Sequence, residues 1–510
     1  MVFLQKANQK TKKIYWKERF AYRANRYFGY MNKKNTENTS PVLPTAAQLR
    51  KTLESTSKTG AYDRLRLLFD AGTFAELGAY KKRAFSECGT EAKDTEWAGA
   101  VCGYGAVNGQ PVFAFAQDST RMKGALDAES IRKICNLYDL ALKNGAPVVG
   151  IFDGAGVDIF EGVAALAGYG KLMRAVSAAS GSIPQIAWVS GNCLGSLAAV
   201  CAMFDVVVKE DGAKLYVSSP ALTGVKDAQD AMVSYPAANE TAAAGYIRHA
   251  LALLPQNNGE GTVVFEATDD LNRTLSDFDA NGDARTLLSL IVDNGDYLEL
   301  GAVYGEETVT ALALIGGVKC GILATDYTKN EGRLSAAGAR RAARFVDLCD
   351  AFAMPLLTLV NSAGFAMDAA DEKAPFAAEL AKLATAYANA ENAKVTVILG
   401  HAIGGAYVLL GSRGIGADVA YALEGAEIGA LESAASVAFA ENDQINLKTT
   451  RKELEDAWRT GLASPVAAAS AGEIDDIIAP EELRQRICSA LLLLAAKGTV
   501  APPRHNVLPL

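Results

Sequence analysis

The chain repeats itself, and this repeat constrains the fold more than any other feature. Arg66–Tyr80 reads RLLFDAGTFAELGAY, and LSLIVDNGDYLELGAVY fills residues 288–304, so Gly72, Glu76 and Gly78 return as Gly295, Glu299 and Gly301. IRKICNLYDLALKNGAPVVGIFDGAG (Ile131–Gly156) aligns without gaps, at an offset of 208, with ARRAARFVDLCDAFAMPLLTLVNSAG (Ala339–Gly364). Arg132, Asp139, Leu140, Pro147, Ala155 and Gly156 meet identical residues there. A third pair is IPQIAWVSGNCLGSLAAV (Ile183–Val200) and AKVTVILGHAIGGAYVLL (Ala393–Leu410). The small-residue turn and the following glycine lie 39 residues apart in one copy (Gly156 to Gly195) and 40 in the other (Gly364 to Gly404). Shared order, spacing and character predict a duplicated domain.

The boundary is expected near residue 275, in the polar 269–283 stretch, giving repeats over 47–275 and 276–510 after a leader and linker over 1–46. In each repeat an amphipathic helix ends, Pro opens an apolar run, and the run closes in a small-residue turn. Strands alternating with helices predict an α/β fold with parallel or mixed sheets covered by helices. GAPVVGIFD and MPLLTLVN have the near-continuous apolar character of strands buried on both faces.

Composition removes several function classes. The formal net charge is −8, and an acidic body argues against nucleic-acid binding, which needs clustered Lys and Arg. Residues 1–34 are the exception, with ten Lys/Arg against the single acid Glu18. That leader reads as an interaction arm, a solvated tail, or an extension upstream of a chain that starts at Met31; we favour the last. It is expected to be disordered. The eight cysteines are scattered, without Cys-x-x-Cys, which predicts reduced, buried thiols and a cytoplasmic protein rather than a disulfide framework or zinc site. The leader lacks the apolar core of a secretory signal. The longest near-apolar stretch, Val395–Gly411, holds His401 and four glycines, so it reads as strand, turn and helix rather than a membrane span.

Chemistry is expected in two turns of the strand–glycine–helix type, Ser190–Leu197 and Gly400–Ala406. Glycine admits unusual backbone conformations and lets a ligand approach the main chain. The first N–H groups of the following helix are unpaired and lie at the positive end of its dipole. Such a turn stabilises a developing oxyanion with backbone donors alone. One such turn is more often a packing device; two in equivalent places of a duplication favour function. No phosphate-binding glycine loop and no Gly-x-Ser-x-Gly elbow is present. Only three histidines occur, His249, His401 and His505, which disfavours Ser-His-Asp hydrolysis and metal chemistry, and no metal ligands are assigned. His401 is read as a packed residue, with ligand contact as the alternative.

GYGAVNGQPVFAFAQD (Gly103–Asp118), EGVAALAGYG (Glu161–Gly170), RRAARFVDLCDAFAMPLLTLVNSAGF (Arg340–Phe365) and KVTVILGHAIGGAYVLLGSRGIGADVAYALEGAEIG (Lys394–Gly429) resemble the biotin-dependent acyl-CoA carboxyltransferases. That family includes β subunits of propionyl-CoA and acetyl-CoA carboxylases and α subunits of methylmalonyl-CoA decarboxylases. The likeness runs over about residues 60–480 in both repeats. It implies two tandem crotonase-like (ClpP/crotonase) domains related by duplication. It also implies a homo-oligomer, a hexamer or dimer, with sites formed between the first half of one subunit and the second half of another.

The implied activity is carboxyl transfer between biotin on a separate carrier protein and a short coenzyme A thioester of the methylmalonyl-CoA/propionyl-CoA type. The biotin carboxyl carrier protein is the implied partner, with biotin carboxylase or membrane decarboxylase subunits beside it; in the latter case the chain would be peripheral to a membrane complex. The cofactor takes the α-proton, which accounts for the missing general base.

Carried over by motif, the thioester oxyanion hole is Gly195 and Ser196, with Gly154, Ala155, Gly156, Gly191 and Leu197 contributing to substrate binding. The biotin-side hole is Gly405 and Ala406, with Gly364, Phe365, Gly404 and Tyr407 on the cofactor side. The family's first turn is usually Gly-Gly-Ala; here it is Gly195-Ser196-Leu197, whose side chains are expected to crowd the thioester. The second-repeat strand commonly ends Asp-x-Pro-Gly-Phe; here it is Asn361-Ser362-Ala363-Gly364-Phe365. These departures motivate a second reading, a non-catalytic scaffold subunit that pairs with an active paralogue.

Overall fold

The computed structural model describes residues 44–56, 58–82, 97–225, 230–276, 278–373, 375–445 and 449–498. The basic leader lies outside the described residues. A helix, Ala46–Thr56, belongs to a separate N-terminal unit, and residues from Thr59 to the C-terminus form one compact unit.

That unit holds two eight-stranded sheets. The first contains β1 (Ala75–Leu77), β2 (Ala100–Val107), β3 (Gln110–Gln117), β4 (Val148–Gly154), β5 (Gln185–Leu194), β6 (Val206–Glu210), β7 (Lys214–Tyr216) and β8 (Tyr235–Ala237). Its order is β1-β2-β3-β4-β5-β6-β8, with β7 paired to the end of β5. The second contains β9 (Tyr297–Glu299), β10 (Thr308–Ile315), β11 (Val318–Thr325), β12 (Leu356–Ser362), β13 (Lys394–Ile403), β14 (Val419–Leu423), β15 (Glu427–Gly429) and β16 (Asp476–Ile478). Strand for strand it repeats the first, including β15 on the end of β13. In each sheet the first three strands pair antiparallel and the remaining pairs are parallel. The predicted α/β duplication is what the chain forms, and the crossover helices that parallel strands require supply the covering layers.

The continuous apolar strands follow from this layering. Successive residues of a strand face opposite sides. In β4, Val149 and Ile151 enter one apolar core, while Val148 and Phe152 enter another under helices Ala128–Asn144 and Val163–Ala179. The first of these cores is shared: Ile186 and Trp188 of β5 join it from one sheet, and Leu356, Val360 and Ile398 from the other. A third core backs the second sheet.

Local signals match in the two repeats. Asp127 caps helix Ala128–Asn144 by accepting from Ser130 N–H at 2.8 Å, and Ser335 caps helix Ala336–Ala351 by accepting from Gly338 N–H at 3.0 Å. Such caps contribute roughly 1 kcal/mol each. Each crossover thus starts at the same register and delivers β4 and β12 to the same turn.

Candidate active site

Two turns meet in each repeat. In the first, β4 runs into Gly154-Ala155-Gly156, and β5 into Gly195 and the helix Ser196–Ala202. Strands β4 and β5 are hydrogen-bonded neighbours to their ends, where Gly154 pairs with Cys193. A Cβ placed on Gly156 would lie 3.8 Å from the Leu194 carbonyl oxygen. In the second repeat, β12 runs into Ala363-Gly364-Phe365 and β13 into the helix Gly404–Leu409; a Cβ on Gly364 would lie 4.0 Å from the Ile403 oxygen.

Backbone angles set the equivalence of the two. Gly195 has φ 62° and Gly404 φ 61°, while Gly156 and Gly364 stand at 104° and 119°. These are left-handed conformations that a Cβ disfavours. Gly195 therefore corresponds to Gly404, Ser196 to Gly405, and Leu197 to Ala406. The first-repeat assignment shifts by one residue, because the Gly195 N–H already donates to the Tyr216 carbonyl at 3.0 Å. Gly195 shapes the turn, as Gly404 does in the second repeat. The amides left to a ligand are those of Ser196 and Leu197, and of Gly405 and Ala406. Each is at the start of its helix, where no backbone acceptor precedes it.

The side chains divide sharply. Ser196 and Gly405 are exposed, whereas Leu197 and Ala406 are buried. Leu197 packs in the core with Val200 and Phe204, so it does not crowd the approach; the expectation that it would is corrected by the inward turn of its Cα–Cβ bond. Gly405 has a different reason to be glycine: the Phe365 ring lies over it, 2.9 Å from where a Cβ would stand. Phe365 is itself braced edge-on by Phe376, with ring centroids 5.9 Å apart.

The preceding glycines serve packing. A Cβ on Gly154 would meet the Gln117 amide at 2.2 Å, and one on Gly191 would meet Asp153 Oδ1 at 2.1 Å. Gly154 is buried and Gly191 partly so. Ala155 is exposed, but its N–H donates to Lys123 O at 3.0 Å. The Gly156 N–H has no acceptor among the described residues, which leaves it beside Ser196 as a second donor. In the second repeat the matching Gly364 N–H donates to Ser362 Oγ at 3.3 Å.

Behind these turns the repeats differ. Asp153 Oδ1 accepts from Asn192 N–H at 3.3 Å, and Arg64 stands 3.4 Å from Oδ2. Asn361 takes the place of Asp153, accepts from His401 N–H at 2.8 Å, and donates to Ala280 O. His401 stacks on Tyr327, centroids 5.2 Å apart, and its Nδ1 is 3.9 Å from Glu427. It lines a cavity of about 390 Å3 with Glu424, Glu427 and Arg459. Burial works against the Glu427 charge, but two hydrogen bonds from Ser433 and the Arg459 guanidinium hold its carboxyl below the ordinary value.

Tyr407 is turned into the core, with its hydroxyl buried and unpartnered among the described residues; burial, with Glu473 nearby, pushes it up to about 12.

Arg333 escaped the sequence reading. It donates to the Ala363 carbonyl at 2.7 Å and is held by Glu331 and Glu432 at 2.9 and 3.3 Å. It thereby fixes the peptide that carries the Gly364 turn. No glycine or repeat signal marks it, since Ala125 stands at its place in the first repeat.

Among the described residues no helix is long and apolar enough to cross a membrane.

Known proteins resemble this chain over about nine-tenths of its length. The carboxyl transferase domain family matches residues 54–508. The methylmalonyl-CoA decarboxylase α subunit of Propionigenium modestum is 34% identical over 486 residues, covering 89% of this chain and 94% of that protein. The methylmalonyl-CoA carboxyltransferase 12S subunit of Propionibacterium freudenreichii subsp. shermanii is 32% identical, with 89% and 91% covered. The propionyl-CoA carboxylase β chain of Saccharopolyspora erythraea is 31% identical, with 89% and 91% covered. Among solved structures, a transcarboxylase 12S hexamer with methylmalonyl-coenzyme A and methylmalonic acid bound superposes with a TM-score of 0.83 at 30% identity, over 92% of this chain and 100% of that one. With its two crotonase-type halves and paired amide turns, the chain belongs to the carboxyl transferase family and is an enzyme of the acyl-CoA carboxyltransferase class.

Proposed function

We propose that the chain transfers a carboxyl group between biotin on a separate carrier protein and a short acyl-CoA of the methylmalonyl-CoA/propionyl-CoA type. The observation that carries this reading is the pair of equivalent turns, each offering helix-start amides that no acceptor among the described residues occupies. In the first repeat, Ser196, Leu197 and Gly156 present N–H groups to a thioester oxygen and stabilise the charge that develops there on loss of the α-proton. In the second, Gly405 and Ala406 present theirs to the ureido oxygen of biotin. The exposed, side-chain-free Gly405 beneath Phe365 suits a flat heterocycle. Biotin, when bound, supplies the carboxyl group and the base. The protein then needs only to position, hold charge and exclude water, which fits turns without a catalytic carboxylate or histidine.

The two turns lie in different repeats, and the family resemblance implies that a complete site joins the first repeat of one copy to the second repeat of another. Exposed apolar side chains follow each turn: Ile159, Val163 and Leu222 in the first repeat, Met367 and Phe439 in the second. Large apolar side chains exposed beside the turns offer an interaction surface. The reading as an inactive scaffold loses its motive, because Leu197 does not obstruct the turn.

Calorimetric titration with malonyl-CoA, methylmalonyl-CoA, glutaconyl-CoA and propionyl-CoA, followed by biotin-stimulated CO2 release from whichever binds, tests the proposal. Binding with biotin-dependent CO2 release from methylmalonyl-CoA is expected. An intact oligomer that binds no acyl-CoA would overturn it.

A further inference from the structure

A cleft of about 250 Å3 opens where the two repeats meet, and none of the turn residues lines it. Its floor is apolar: Met232 and Val233 come from the first repeat, Leu300, Phe345 and Leu348 from the second. One wall is basic, formed by Arg340, Arg341 and Arg344 of helix Ala336–Ala351, and the acidic Asp205 lines the cleft from the first repeat.

The duplication supplies an internal control for these arginines. Arg341 donates to Leu300 O at 2.6 Å and stands 3.3 Å from Glu299. Lys133, at the matching position, donates to Ala100 O at 2.8 Å and stands 3.6 Å from Glu76. Both tie their helix to the edge of their sheet, so Arg341 is structural. Arg340 matches Arg132 and pairs with Glu379 at 2.9 Å, half exposed.

Arg344 matches Asn136 and has no such account. Its guanidinium donates to the main-chain oxygens of Phe204 and Asp205, at 2.5 and 3.4 Å, across the seam. Among the described residues no carboxylate lies in ion-pair contact with it; the Asp205 carboxyl, which also lines the cleft and feels the Arg344 charge, is turned to the Gln185 N–H at 2.8 Å, and the Arg344 side chain is exposed. Its planar fork thus keeps N–H donors for a further acceptor.

A guanidinium with no carboxylate in ion-pair contact, at the mouth of an apolar cleft, suits an anion with an apolar body. We propose that this cleft binds a small amphipathic carboxylate, its acid group on Arg344 and Arg340 and its stem over Val233 and Leu348. The volume lies below the ~300–1,000 Å3 of sites for drug-sized ligands, which points to a short-chain acid. Such an occupant touches both repeats at once, so it stabilises the folded chain by mass action.

Calorimetric titration of the full-length oligomer with hexanoate, and with the uncharged hexanamide, tests this. Saturable binding of hexanoate and none of hexanamide are expected, with a rise in thermal midpoint on adding hexanoate. Arg344→Gln, which removes the charge, and Met232→Trp, which fills the floor, should each weaken hexanoate about tenfold or more. Arg344→Lys should retain most of the affinity. A role confined to bonding the Phe204 and Asp205 oxygens would instead lower the thermal midpoint of Arg344→Gln and leave hexanoate affinity unchanged. The proposal is overturned if hexanoate fails to bind at tens of millimolar, if hexanamide binds equally well, or if both weakening variants retain full affinity. Acyl-CoA binding, measured in the same samples, should be unchanged by all three substitutions, so failure here is separable from failure at the turns.

Discussion

Ser362 Oγ accepts from the Gly364 N–H at 3.3 Å, whereas the residue matching Ser362 in the first repeat, Gly154, has no side chain, and the Gly156 N–H has no acceptor among the described residues. The two turns share a backbone path but not a donor count. Replacing Ser362 by Ala frees the Gly364 amide with little change in volume at a fully buried position. A several-fold rise in biotin-dependent turnover is expected, with KM for the acyl-CoA unchanged, because the gain falls on the second repeat alone. Steady-state kinetics with free biotin as the varied substrate check it; a raised acyl-CoA KM would place Ser362 elsewhere in the mechanism.

Ser196→Pro removes one N–H at the first helical position. Proline is tolerated there, and this chain already opens two helices with it, at Pro220 and Pro465. Turnover should fall by ~10²–10³ while circular dichroism and oligomer size hold. Loss of less than about tenfold would show that Leu197 and Gly156 suffice as donors.

Leu197→Ala separates packing from access. The side chain is fully buried beside Val200 and Phe204. The substitution should cost ~2–5 kcal/mol of stability and leave the acyl-CoA KM unchanged in the fraction that remains folded. A variant of undiminished stability with improved KM would mean that Leu197 does stand in the thioester's path. Ser196→Gly, at the exposed position, is the change that widens the turn.

Asp205 carries a pH signature. Burial pushes its carboxyl up to about 6, against the Gln185 N–H and the Arg344 charge. A carboxyl raised above its unfolded value of ~3.9 costs the fold nothing below that value, and the cost grows as pH rises towards 6. Asp205→Asn keeps an acceptor for Gln185 without the charge. Its advantage over the parent should therefore appear between about pH 4 and 6 and level off above, reaching on the order of 3 kcal/mol. Urea midpoints across that range measure it; a constant difference would refute the assignment.

The duplication, the buried strands and both glycine turns were legible in the sequence, because each rests on a local rule: period-two burial, a helix cap, a positive φ. The offset that aligns Ile131–Gly156 with Ala339–Gly364 also carries β2, β3 and β4 onto β10, β11 and β12. What the sequence could not give was where a hydrogen bond ends. Whether Gly195 or Ser196 offers the free amide depends on the Tyr216 carbonyl, which arrives on β7 from 21 residues away. Leu197 looked obstructive for a similar reason, since the direction of its Cα–Cβ bond follows from the turn angles of Gly195. Arg333 was invisible because its role lies in contacts with Ala363 and Glu432, distant in sequence and absent from the first repeat.

One apolar core draws residues from both sheets, Ile186 and Trp188 on one side and Leu356 and Val360 on the other. A chain severed between the sheets would leave each fragment with a large wet apolar face and no means of closing it. The two halves, though copies, are therefore not exchangeable cassettes. Since their fusion, a substitution on the facing surface of either has had to be tolerated by the other.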